Sequence, residues 1–75
     1  MSSHQLPNLI LMANQIAANI TSGQSAEVTA AAVTQHLSRF WSRAMKAEIV
    51  AYLNEDGSEL SATAKLAVAK LEQAA

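Results

Sequence analysis

The chain has no cysteine, one proline and two glycines in its 75 residues, and only one each of Phe, Trp and Tyr. Without cysteine there is no disulfide framework, no thiolate nucleophile and no cysteine-based metal site. Two glycines, Gly23 and Gly57, leave no room for a glycine-rich loop that cradles phosphate. Charge is sparse as well: 15% of residues are charged and the net charge is −1. That balance weighs against nucleic acid, because such binding calls for a basic patch and usually a high pI. The longest uninterrupted apolar run, Leu9 to Ala13, is far below the ~18 residues that span a bilayer. No basic segment leads into a long apolar stretch at the N-terminus, so no targeting signal is expected. The expectation is a soluble, cytoplasmic protein without a membrane partner.

What is present is mostly helix-forming apolar sequence. Hydrophobic residues make up 51% of the chain, and many are alanines, which favour helix but fill little volume. A chain this small hides only roughly 60% of the surface its unfolded form exposes. It is therefore short of large core side chains, and a partner covering apolar surface would stabilise it.

Apolar residues recur at three- and four-residue steps in four segments, the spacing of one helical face. The first face is Leu9, Met12, Ala13, Ile16 and Ile20, with Pro7 in a first turn where its missing N–H costs nothing. Thr21-Ser22-Gly23 is expected to end that helix, Gly23 supplying a left-handed stop. The second face is Ala26, Ala30, Val33, Leu37, Phe40 and Trp41, capped by Ser25 or Ser22. Ser42 caps a third helix carrying Met45, Ile49, Tyr52 and Leu53. After the turn composition Asn54-Glu55-Asp56-Gly57-Ser58, Ser61 caps a fourth helix with Ala64, Ala67, Val68 and Leu71 inward. Nothing alternates with period two. The expected fold is all-α: a compact four-helix bundle of short helices, one domain over residues 1–75 with 1–6 and 72–75 frayed. Its expected structural core is Met12, Ile16, Val33, Leu37, Phe40, Trp41, Met45, Ile49, Leu53, Val68 and Leu71.

Reactive groups are few. His4 and His36 have no acidic or histidine neighbour at metal-ligand spacing, and they read as a terminal-tail residue and a helix-boundary residue. Glu55, Asp56 and Glu59 lack the spacing of a calcium loop and read as a solvated turn. No catalytic, cofactor-binding or metal residue is assigned, and an enzyme acting alone is not expected. The richest segment is Gln35 to Lys46, with the only Phe, the only Trp and three of the five basic residues. Arg39, Arg43 and Lys46 beside Phe40 and Trp41 imitate the cations and stacking platforms of a single-strand binder. Both aromatics fall on the apolar stripe, however, so the cations are read as the rim of a protein-docking surface. Leu11 and Leu66 lie opposite the inward faces of their helices, beside Ala18 and Ala62. That excess of apolar surface favours burial against another polypeptide, or a homodimer when the protein is isolated.

Leu11-Met12-Ala13-Asn14-Gln15-Ile16-Ala17, followed by His36-Leu37, Phe40-Trp41 and Met45-Lys46, resembles the delta subunit of NAD-dependent formate dehydrogenase. That family's pattern reads approximately M-A-N-Q-I-A, then H-L-x-x-F-W-x-P-R-M-R, then a closing L-S-P helix, and the resemblance runs from about residue 9 to residue 71. The sequence departs from it at Arg43, where the family usually has Pro, and at Ala44, where Arg is common. Leu11 stands in place of a basic residue, and Asn19-Ile20 in place of a more aromatic pair. The resemblance implies a cofactor-free accessory subunit of a cytoplasmic molybdenum or tungsten formate dehydrogenase. Its partner would be the large cofactor-bearing subunit, and its role assembly or stabilisation. A transient chaperone for cofactor insertion is the nearest alternative, and a small nucleic-acid-binding helical domain the next. The expected partner-binding residues are Leu11, Asn14, Gln15, Arg39, Arg43 and Lys46, with Asn14 and Gln15 offering amides to a partner's backbone.

Overall fold

Each of the three serines expected to start a helix does so. In the computed structural model, which describes residues 5–20 and 25–74, four helices follow one another: α1 (Leu6–Ile20), α2 (Ala26–Phe40), α3 (Arg43–Glu55) and α4 (Ala62–Ala74). Ser25 Oγ accepts from the Val28 N–H at 3.2 Å, Ser42 Oγ from Met45 at 3.1 Å, and Ser61 Oγ from Ala64 at 3.2 Å. Each satisfies a first-turn donor that has no carbonyl partner within its own helix. Leu6 and residues 72–74 are helical. Thr21-Ser22-Gly23, with its expected stop, lies outside the described residues, as does His4.

The turn between α3 and α4 needs its glycine. Gly57 has φ +70°, a left-handed conformation that costs L-residues energy because Cβ crowds the backbone. An added Cβ would also sit 3.1 Å from Leu53 Cδ1 and 3.2 Å from the Leu53 carbonyl oxygen.

The most extensive contact joins α2 and α4, and small residues make it possible. Ala30, Ala64 and Ala67 are fully buried, so the backbones approach closely enough for Thr34 Oγ1 to lie 2.9 Å from the Ala67 carbonyl oxygen. The same hydroxyl is 2.8 Å from the Ala30 carbonyl oxygen, and its single proton is shared between the two. Leu9, Val33, Leu37, Ile49 and Val68 fill the core, with Trp41, Tyr52, Leu60 and Leu71 closing it. Ile16, Met45 and Leu53 are half-buried against it.

Two residues expected in the core are outside it. Phe40 is 68% exposed, although its position around α2 matches the buried stripe. The helix ends at Phe40, and the backbone turns extended at Trp41 (φ −89°, ψ 144°). Trp41, one turn beyond Leu37, takes the inward place at the end of that stripe, and Phe40 is left on the corner. Met12 is 36% exposed because the inward face of α1 is rotated: Leu9, Ile10, Ala13 and Ala17 are the residues buried. That face centres well away from Met12, which lies on its flank.

Candidate partner-binding surface

The corner between α2 and α3 gathers most of what can engage another molecule. Ser42 stops one helix and starts the next, which places Arg39, Phe40, Arg43 and Lys46 around a single bend. The Phe40 ring is held from two sides. His36, one turn earlier, lies with its ring centroid 4.7 Å away and tilted 42°. The Arg39 guanidinium carbon is 5.8 Å from the Phe40 centroid, a cation–π contact worth about 0.5–1 kcal/mol at an exposed site. An exposed aromatic held in this way presents a defined shape to a partner.

Next to the bend lies an open groove of about 490 Å³, lined by the apolar side chains of Ala47, Val50 and Leu71 and the polar ones of Ser38, Arg43, Lys46 and Glu72. Lys46 Nζ donates to the Ser38 carbonyl oxygen at 3.2 Å, which satisfies an orphan acceptor near the end of α2. Glu72 accepts from Asn54 Nδ2 at 3.1 Å. Among the described residues the ion pair is Lys70 with Glu27, 3.4 Å apart and away from this corner. Arg39, Arg43 and Lys46 pair with no carboxylate there.

The six expected partner-binding residues do not form one surface. Asn14 belongs to the other end of α3: its Nδ2 donates to the Glu59 carbonyl oxygen at 2.9 Å, and its Oδ1 accepts from the Ser61 N–H at 2.8 Å. A 13-residue α3 is about 20 Å long at ~1.5 Å per residue, so the two groups sit a helix length apart. The Asn14 amide, expected to serve a partner's backbone, instead ties α1 to the α3–α4 turn. The same turn is fastened from α3, where the Tyr52 hydroxyl accepts from the Glu59 N–H at 2.9 Å. Leu11 (54% exposed) and Gln15 remain on the outer side of α1.

Phe40, expected inside, is on the surface, so its burial no longer weighs against a nucleic-acid partner. What remains against phosphate is the net charge of −1. Among the described residues no three His, Asp or Glu side chains cluster as metal ligands, and no helix is long and apolar enough to cross a membrane.

Fold and surface together define a small all-α bundle with an aromatic, cationic corner. The chain belongs to the family described as NADH-dependant formate dehydrogenase delta subunit FdsD, whose model matches residues 8–68. No curated protein and no solved structure matches it. Membership implies a formate dehydrogenase complex that contains other subunits.

Proposed function

We propose that this chain is a non-catalytic accessory subunit that binds the large, cofactor-bearing subunit of a cytoplasmic NAD-dependent formate dehydrogenase and assembles or stabilises it. The observation that carries this reading is the exposure of large apolar side chains on so small a bundle. Phe40, Leu11, Val28, Leu66 and Met12 are between 36% and 68% exposed. Scattered single exposures mean little, but Phe40 stands beside a groove, a supporting ring and three cations that pair with no carboxylate among the described residues. Interfaces concentrate aromatic and arginine anchors of this kind. The subunit's contribution is then to bury apolar surface on the large subunit, which shifts the folded, assembled state by mass action. A tagged copy should retain the large subunit through affinity purification and size exclusion, with formate:NAD activity in the same fraction. Recovery of the tagged chain alone, with activity eluting elsewhere, would count against a resident subunit.

A further inference from the structure

We infer that the α2–α3 corner docks an acidic segment of its protein partner that also carries a large apolar side chain. Carboxylates of that segment pair with Arg43, Lys46 and Arg39, while its apolar side chain enters the groove between Val50, Ala47 and Leu71. The inference rests on the accessory-subunit reading and adds to it the face used and the chemistry of what covers it.

Charge is the first argument. Arg43 and Lys46 stand in the first turn of α3, where the helix dipole is positive, and no acidic residue accompanies them. Cations at that end are held against the local field, and no intramolecular ion pair among the described residues compensates them. A carboxylate arriving there meets two side-chain cations and a helix N-terminus together. Shape is the second argument: the groove offers apolar walls directly beside those cations, and exposed Phe40 stands at the same bend.

The occupant has to satisfy both features, which disfavours docking of this chain's own acidic cluster. That cluster is Glu55, Asp56 and Glu59, but the apolar residue in that turn, Leu60, is 4% exposed and unable to reach a neighbour's groove. Self-docking would satisfy the charges and leave the groove open. Nucleic acid fails differently, since a phosphate backbone brings no aliphatic or aromatic side chain to fill the apolar part of the groove between Ala47, Val50 and Leu71.

The test measures binding of the purified large subunit of the enzyme to the full chain and its variants, over a range of salt. Arg43→Glu, alone and with Lys46→Gln, should weaken binding at least tenfold and flatten its salt dependence, and Phe40→Ala should weaken it further. Leu11→Glu, on α1, should change it less than twofold. Arg43→Glu should melt no lower than wild type, because a carboxylate suits that helix end, so misfolding cannot account for the loss. If wild type and Arg43→Glu bind equally while Leu11→Glu does not, the corner is overturned and the accessory reading stands. If wild type fails to bind the large subunit, both fall. Competition by duplex DNA but not by polyglutamate, or an Arg43-dependent association of the chain with itself, would overturn the stated occupant.

Discussion

Removing the Trp41 indole takes away a side chain that is 6% exposed at the end of the α2 stripe, and truncating a buried aromatic costs about 3–5 kcal/mol. Removing the neighbouring Phe40 ring should change the stability of the isolated protein by only about 0.5 kcal/mol, because its contacts are His36 and Arg39 on the surface. Urea titrations of Trp41→Ala and Phe40→Ala check the pair, and equal losses would show that Phe40 is buried after all. Thr29 supplies a sharper case. It is 2% exposed, and its Oγ1 has no hydrogen-bond partner among the described residues. An unsatisfied buried hydroxyl costs about 1–3 kcal/mol, so Thr29→Val, similar in shape and without the hydroxyl, should raise the melting temperature. A lower one would mean that the hydroxyl is paired in solution.

At the scale of elements, the α3–α4 turn depends on a residue far away in sequence. Asn14 contributes two hydrogen bonds to it, each worth about 1 kcal/mol net. Asn14→Ala should therefore destabilise the protein by roughly 2 kcal/mol and speed hydrogen exchange at the Ser61 amide, while the core of α2 keeps its protection. Uniform loss of protection across α2 would contradict a local tether. This tether was invisible to sequence reasoning because its partners lie 45 and 47 residues from Asn14, and no periodicity reports so distant a contact. Helix starts were legible because Ser25, Ser42 and Ser61 act on donors three residues away. The inward face of α2 was legible as far as Leu37, where helical spacing still governs. Phe40 and Trp41 were not distinguishable, since where the helix stops, rather than its period, decides which of them turns inward. The face of α1 was blurred for a simpler reason. In Leu9 to Ala13 every residue is apolar, so Met12 and Ile10 could each claim the core.

For the whole molecule, the charges divide along α3: cations with no carboxylate partner among the described residues at its beginning, and Glu55, Asp56 and Glu59 exposed at and beyond its end. Such polarity costs little in a monomer at moderate salt and orients an approach to a charged partner. Association with the large subunit should accordingly slow as salt rises, with dissociation changing much less, which stopped-flow mixing at several ionic strengths would measure. Rates independent of salt would assign the interface to the apolar outer side of α1 instead. The family and the all-α bundle were legible in the sequence because both depend on motifs and spacing read along the chain. The composition of the docking corner needed the fold, which separates Asn14 from Arg43 and brings Leu71 beside Val50.

We propose a resident role for this chain in the assembled enzyme. Its most direct test is to purify the formate dehydrogenase from cells with and without this chain, and to compare size-exclusion profiles and the half-life of formate:NAD activity. A resident subunit should co-elute with the large subunit, and the enzyme lacking it should dissociate or lose activity sooner. An enzyme of the same size and lifetime in both preparations, with the chain eluting on its own, would contradict it.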